Sequence, residues 1–204
     1  MVSALMAGCV ISAYYWVDTS ESCVLTALRT ACWALDTFPD QLLPGAVCDM
    51  FTMRDVQGIS REWLGEIGTS LCVMGSPCQG FSGINKFGKR GLDHPGSGLL
   101  VDGLAVMLMA REVQEQRGGE FWHIFENVKG FQQGFKDICR ELEDICGVKG
   151  RISDSALVGA SRRARYWNTN ISGVPWPTVD EGDTWEAVLQ EATGDRLVPQ
   201  IADR

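Results

Sequence analysis

The chain has 204 residues, of which 45% are apolar and 22% charged, and these proportions exclude a globally disordered protein and favour one domain with a buried core. No apolar run reaches the roughly 20 residues that cross a bilayer, so the sequence predicts neither a membrane span nor a signal peptide. The net charge of −8 argues against indiscriminate nucleic-acid binding. Because residues 178–204 hold seven of the acidic residues, the rest of the chain can still concentrate positive charge locally.

Cysteine and histidine usage limits the chemistry of any site. The eight cysteines lie within apolar runs, and a chain with this much core needs no disulfides, so the sequence predicts reduced thiols in an intracellular protein. The only histidines are His94 and His123, and no cysteine pair has the spacing of metal ligands. The sequence therefore predicts no metal site.

Short β-branched or aromatic runs alternate with longer amphipathic stretches, a pattern typical of βαβ units on a parallel sheet. The predicted strands are Val10–Val17, Ala46–Cys48, Leu71–Met74, Trp122–Phe125, Arg151–Ser155 and Tyr166–Ile171. The predicted helices are Ser20–Leu35, Ser60–Ile67, Ser97–Arg117 and Phe135–Cys146, with a further short helix near Trp185–Glu191. The pattern predicts an α/β fold with a doubly wound, mostly parallel sheet.

Polar residues follow four of these strands and would therefore lie together at one edge of the sheet. They are Asp18, Asp49, the tripeptide 76–78 and the pair 126–127. In an open parallel sheet this is the edge at which ligands bind. The stretch from Gly75 to Gly98 contains seven glycines and too few apolar residues to pack, which predicts a long functional loop of the lid type.

Cys78 is the first candidate for chemistry, because it follows Pro77 just past a buried strand. A thiolate at that position would be exposed at the sheet edge and could act as a nucleophile. Considered alone, Cys78 is equally compatible with an ordinary loop cysteine, since the other seven cysteines are expected to be inert.

Two charged segments accompany this cysteine. Glu126 ends an apolar strand, where a partly desolvated carboxyl group can serve as a general acid, although a helix-capping or turn acid explains it as well. The segment Arg162–Tyr166 opens a strand with three arginines, a pattern that on its own fits a solvated basic edge.

Taken together and in this order, the three segments resemble the motifs of the cytosine-5 DNA methyltransferase family. The matches are Pro77-Cys78, Glu126-Asn127-Val128 and Arg163-Ala164-Arg165. Gly91-Leu92, Gly96-Ser97-Gly98-Leu99 and Arg163–Trp167 are most similar to the eukaryotic de novo branch. Gln79 departs from that branch, which has asparagine there.

The resemblance implies a Rossmann-like fold of the class I S-adenosylmethionine-dependent methyltransferase type, and nuclear localisation. It implies a cofactor site in which Asp18 binds the ribose and in which Asp49 and Met50 bind the adenine. Pro77 is also an implied cofactor-binding residue. The implied catalytic residues are Cys78, Glu126, Arg165 and Arg163. The implied DNA-binding residues are Gln79, Lys86, Lys89, Arg90 and Arg162, with DNA as the partner.

The resemblance covers about residues 4–190 and implies a partial catalytic domain at 1–175, followed at 176–204 by the start of a target-recognition region or an acidic tail. The family's N-terminal glycine-rich cofactor loop and its C-terminal motifs have no counterpart here, so the fold is expected to be incomplete, with an open apolar sheet face.

Three functions are compatible with this pattern: a catalytic methyltransferase core, a non-catalytic regulator that associates with itself or a related methyltransferase subunit, and a truncated product without function. The complete cysteine, glutamate and arginine set favours the first, whereas the missing cofactor loop favours the other two. A generic Rossmann-like domain for another cofactor is a further alternative.

Overall fold

The computed structural model describes residues 1–6, 8–43, 45, 55–82, 91–155 and 163–172. In chain order the helices are α1 (Val2–Met6), α2 (Glu21–Thr37), α3 (Arg61–Ile67), α4 (Gly98–Gln116), α5 (Lys129–Gly134) and α6 (Lys136–Cys146). The strands are β1 (Leu71–Gly75), β2 (Trp122–Val128), β3 (Arg151–Asp154) and β4 (Ala164–Thr169). None of these helices is both long and apolar enough to cross a membrane.

The four strands form one sheet in the order β1-β2-β4-β3. β1 and β2 are parallel, and α4 is the crossover helix between them. β4 runs antiparallel to both β2 and β3. This arrangement confirms the predicted α/β, Rossmann-like fold class, although two of the three strand pairs in the described part of the chain are antiparallel.

The core lies on one face of the sheet, which α4 and α6 cover. Phe125 of β2 and Tyr166 of β4 are completely buried there, and they pack in one cluster with Leu100 of α4 and Leu142 of α6. Alternate residues along β2 are buried, as the period of a strand requires. The opposite face remains partly open, since Val73 is 66% exposed.

Eight of the nine predicted elements that can be compared agree closely with the structure, but Val10–Val17 is not a strand. Ile11 makes only an isolated bridge to Leu42, and residues 12–18 lie in no strand. The aromatic residues of this segment instead pack on one another and on α3, with Tyr15 edge-on to Trp63 at 5.3 Å. The apolar and aromatic run thus takes part in that packing and not in a sheet.

Other predictions differ in smaller ways or cannot be compared. Helix α5 was not predicted, because its two glycines lower the helix propensity of a short segment. Its place is determined by Phe131, which is fully buried. The predicted strand Ala46–Cys48, the predicted helix near residue 185 and the whole of the predicted region 176–204 lie outside the described residues.

Buried polar groups join β2, β4 and α6. His123 Nε2 donates to Asn168 Oδ1 at 2.7 Å, and Asn168 Nδ2 donates to the Val148 carbonyl. Burial lowers the pKa of His123, with the hydrogen bond to Asn168 opposing this shift. Glu143 Oε1 accepts from the Tyr166 hydroxyl at 3.0 Å and from the Gly150 amide at 2.9 Å. These bonds satisfy polar groups that would otherwise destabilise the core.

Gly150 provides the first testable prediction, because a Cβ at this position would overlap the hydroxyl and ring of Tyr166. Gly150→Ala should therefore lower the free energy of unfolding by about 1–3 kcal/mol, the usual cost of overpacking. Gly65→Ala is the matched control, since a Cβ at Gly65 meets no atom within 4 Å. Chemical denaturation measures both variants, and equal stabilities would contradict this account of the β4–α6 packing.

Candidate functional site

The carboxyl ends of β1 and β2 lie side by side because the two strands are parallel and in register. Gly75, the last residue of β1, is paired with Glu126. The predicted nucleophile, Cys78, follows the end of β1 by three residues, so the turn that carries it begins beside Glu126. A Cβ at Gly75 would lie 3.5 Å from Glu126 Oε2, which shows that the carboxylate is positioned over the glycine.

Arg165 meets Glu126 from the neighbouring antiparallel strand. Arg165 is paired with Val128 and Glu126 with Trp167, so the two charged side chains are diagonal neighbours on one face of the sheet. Arg165 Nε lies 2.7 Å from Glu126 Oε1. The side chains are 22% and 29% exposed respectively, so the ion pair is only partly shielded from water. Two of the predicted catalytic residues are thus in direct contact.

Ser76 and Asn127 tie the two strand ends together below this ion pair. Asn127 Nδ2 donates to Ser76 Oγ at 2.7 Å, and both residues are buried. No role was assigned to this pair from the sequence. A usable signal was present, because both residues are polar and follow apolar stretches at the ends of two strands predicted to be neighbours.

The turn after Cys78 is anchored in the core. The Phe81 amide donates to the Cys78 carbonyl at 3.0 Å. The Phe81 ring is buried and packs edge-on against two other rings. Its centroid lies 5.1 Å from that of Phe131 and 5.0 Å from that of Phe135. Gly130 permits this packing, since a Cβ there would lie 2.6 Å from the Phe81 carbonyl oxygen. The cysteine therefore sits on a turn whose far end is fixed.

Gly80 packs the other side of this turn against the start of α4. A Cβ at Gly80 would overlap Ser97 Oγ and would lie 2.7 Å from the Gly91 carbonyl oxygen. The Gly91 amide in turn donates to the Gly80 carbonyl at 2.9 Å. His94 also lies beside Gly80, and its Nδ1 accepts from the Gly96 amide. Of the long loop predicted between Gly75 and Gly98, both described ends are thus closely packed.

The cysteines in the described residues fall into distinct environments, and all seven are free thiols. Burial raises the pKa of the Cys72 and Cys146 thiols to about 11 and also raises the pKa of Cys139, so these three are poor nucleophiles at neutral pH. Cys78 is half-buried and lies in the turn that follows β1, whose last residue is paired with Glu126. That position distinguishes it from the core thiols.

The remaining predicted residues are dispersed. Asp18 lies just before α2 and its Oδ1 accepts from the Ser20 amide at 2.8 Å, which is a helix-start contact. Arg163 is exposed before β4, and its amide donates to Asp154 Oδ1 at 2.8 Å. Gln79 is exposed in the turn next to Cys78. The predicted residues that lie outside the described part of the chain are Asp49, Met50, Lys86, Lys89, Arg90 and Arg162.

Asp18 does not lie at the end of a strand as predicted, because residues 12–18 lie in no strand. Its carboxylate nevertheless retains hydrogen-bonding capacity for the predicted cofactor contact. A carboxylate can accept several hydrogen bonds, and the bond to Ser20 uses one of its oxygens. Pro77 lies between the Cys78 turn and the 3₁₀ turn at 95–97, where a Cβ on Gly96 would be 3.7 Å from Pro77 Cβ. Within the described ranges, no group of three or more histidine, cysteine or acidic side chains could hold a metal ion.

Comparison with known proteins finds similarity only at the level of solved structures, and at low sequence identity. No family model matches the sequence. No curated protein matches it either. Among solved structures, the chain is similar to the Dnmt2 methyltransferase of S. pombe, with 15% identity and a TM-score of 0.42 over 76% of this chain and 48% of that one. The chain therefore spans about half the length of that structure.

The Ser76–Asn127 hydrogen bond leads to a prediction about the frame of the site. Ser76→Ala should lower the free energy of unfolding by about 1–3 kcal/mol, because it leaves the buried Asn127 amide without this partner. Ser22→Ala on the exposed start of α2 is the control and should change stability by no more than about 0.5 kcal/mol. Thermal and urea unfolding measure both, and equal effects would show that the buried bond is energetically unimportant.

Proposed function

We propose that this protein is an S-adenosylmethionine-dependent DNA (cytosine-5)-methyltransferase with Cys78 as its nucleophile. The observation that carries the proposal is the convergence of the Cys78 turn, Glu126 and Arg165 at one edge of the sheet. These residues are far apart in sequence and belong to the three motifs that resemble the family. A purely structural domain has no physical need for this cysteine, glutamate and arginine set together.

Cys78 begins the proposed reaction. C5 of cytosine is a poor nucleophile, and addition of the Cys78 thiolate to C6 forms a carbon–sulfur bond and gives C5 the character of an enamine. The negative charge that develops on the ring requires a proton or a strong donor at N3. After C5 is methylated, a base removes the C5 proton, the carbon–sulfur bond breaks and the thiolate is regenerated.

Glu126 and Arg165 would stabilise the ring during this addition. In the absence of a base the two side chains satisfy each other. A cytosine placed at this edge would divide the pair, with protonated Glu126 donating to N3 and Arg165 donating to O2. The Glu126–Arg165 contact thus holds both groups in position for a substrate, since side chains already ordered lose little further entropy on binding.

The proposed cofactor contacts come from the segment before α2, from the Cys78 turn and from residues 49–50. Asp18 would accept from the ribose hydroxyls and Pro77 would border the site, while Asp49 and Met50 are proposed to bind the adenine. S-adenosylmethionine supplies an electrophilic methyl group when it is bound. Asp18 precedes α2 directly, so its orientation is set by the helix start through the Ser20 amide.

DNA is the proposed substrate, and nuclear localisation is proposed from the resemblance to the eukaryotic branch. C6 of a stacked cytosine is inaccessible, so the base must be rotated out of the duplex. Gln79, which follows the nucleophile in the chain, would occupy the vacated space. The proposed phosphate contacts are Lys86, Lys89, Arg90, Arg162 and Arg163.

A trapping experiment tests the assignment of Cys78. Duplex DNA containing 5-fluorocytosine, incubated with the protein and S-adenosylmethionine, should form an adduct stable to denaturation, because a fluorine at C5 cannot leave as a proton does. Cys78→Ser should abolish the adduct, whereas Cys23→Ser on exposed α2 should retain it. An adduct that survives Cys78→Ser would refute the assignment. A folded wild-type protein that binds DNA but forms no adduct would favour the non-catalytic regulator.

Glu126→Gln tests the second catalytic group. Glutamine keeps the size of the side chain and a hydrogen bond to Arg165, but it has no carboxylic proton, so the rate should fall by the factor of about 10² to 10⁴ typical of general acid catalysis. The melting temperature should change little, since the ion pair is partly exposed. Glu141→Gln on the exposed face of α6 is the control. A large loss of stability with an unchanged rate would indicate a structural turn acid instead.

A further inference from the structure

Helix α2 buries its small side chains and exposes its large ones. Ala27, Ala31 and Ala34 are 8%, 1% and 0% exposed and face the protein. On the other side Leu25 and Leu28 are 48% and 37% exposed. A surface helix ordinarily places its large apolar residues toward the core, so this distribution is inverted.

The exposed residues form one continuous stripe. Leu25, Leu28 and Cys32 follow one another at intervals of three and four residues, which places them on one side of a helix. We call the surface formed by Leu25, Leu28, Arg29, Cys32, Trp33 and Asp36 the α2 outer face. All six residues are exposed.

Trp33 is held in place although half of it is exposed. Its ring packs edge-on against Phe38, with 5.8 Å between the ring centroids. The backbone carbonyl of Trp33 accepts from the Thr37 hydroxyl at 2.8 Å. An ordered, exposed tryptophan loses little side-chain entropy on association, and tryptophan is among the residues that contribute most to protein interfaces. The α2 outer face therefore has a prepared apolar anchor.

The charges on this face are self-complementary. Arg29 and Asp36 lie seven residues, or two helical turns, apart on the same side of α2. Neither forms an ion pair with any other residue that the structure describes. If a second α2 runs antiparallel to the first, Arg29 of each copy faces Asp36 of the other, so two ion pairs form across one two-fold axis.

We propose that the α2 outer face binds a second copy of this chain as an antiparallel helix pair. A two-fold interface requires a surface that complements itself, and the opposite charges at positions 29 and 36 meet that requirement. The axis passes close to Cys32 and Trp33, midway between the two charges. Nucleic acid is disfavoured as the partner, because Arg29 is the only positive charge on this face and Asp36 opposes it.

Charge exchange tests this pairing. Sedimentation velocity over a range of concentrations should show a reversible dimer of the wild-type chain. Arg29→Asp or Asp36→Arg alone should weaken the dimer at least about tenfold, because each places like charges opposite each other twice. The double variant Arg29→Asp/Asp36→Arg restores opposite charges and should dimerise within about threefold of the wild type.

Leucine and cysteine variants locate the interface independently. Leu28→Lys should abolish the dimer, whereas Ile145→Lys on α6, where the isoleucine is similarly exposed at 40%, should not. A short bis-maleimide should link two chains through Cys32, since the two Cys32 residues flank the axis. The two Cys23 residues would lie roughly 28 Å apart at the helical rise per residue, so Cys23→Ser should leave the crosslink intact and Cys32→Ser should remove it.

Several outcomes would overturn the proposal. They are a wild-type chain that stays monomeric at all concentrations, a dimer unaffected by either single charge reversal, and failure of the double variant to recover. Circular dichroism of every variant establishes that lost association is not lost folding.

Discussion

The register of the parallel pair β1–β2 is the constraint on which the candidate site depends. With Gly75 opposite Glu126, the turn bearing Cys78 begins beside the carboxylate. A shift of one residue would place Gly75 opposite a residue of the other face and so separate the Cys78 turn from the carboxylate. The register is held on the core face by the buried Phe125 and, at the strand ends, by the Ser76–Asn127 bond.

The parts of the site differ in how firmly they are held. The Cys78 turn is fixed by the Phe81 ring cluster and by the close approach of Gly80 to the start of α4. The Glu126–Arg165 pair is instead partly exposed, and its contact joins Arg165 Nε to Glu126 Oε1 at the ends of two flexible side chains. This arrangement suits a site that must admit a planar base, because the nucleophile is fixed while the base can enter between the two charged side chains.

Helix α2 shows how packing on one side leaves a surface on the other. The alanines at 27, 31 and 34 have no side chains beyond Cβ, so the helix can approach the body closely, and its leucines are left facing outward. The Asp18 contact with Ser20 fixes the start of the same helix. The proposed cofactor contact and the proposed dimer surface thus share one element, but they occupy different parts of it.

The sequence by itself determined the element types that rest on strong local signals. Four strands and four helices follow from alternation or helical period, and the apolar stretches before Ser76 and Asn127 predicted that polar groups would gather at one sheet edge. The resemblance of the motifs singled out Cys78, Glu126 and Arg165, two of which the fold brings into contact. Residues 10–17 were predicted wrongly because a short apolar and aromatic run is typical both of a buried strand and of aromatic side chains that pack outside a sheet.

Only the tertiary structure decided what depends on distance between segments. The antiparallel placement of β4 makes Arg165 a diagonal neighbour of Glu126, and no local propensity specifies that pairing. The same holds for the Ser76–Asn127 bond, for the fit of Gly150 against Tyr166, and for which side of α2 is covered. Each of these features results from contact with residues remote in sequence. The period of the apolar residues predicts which face of an element is buried, but it does not identify the residues that pack against that face.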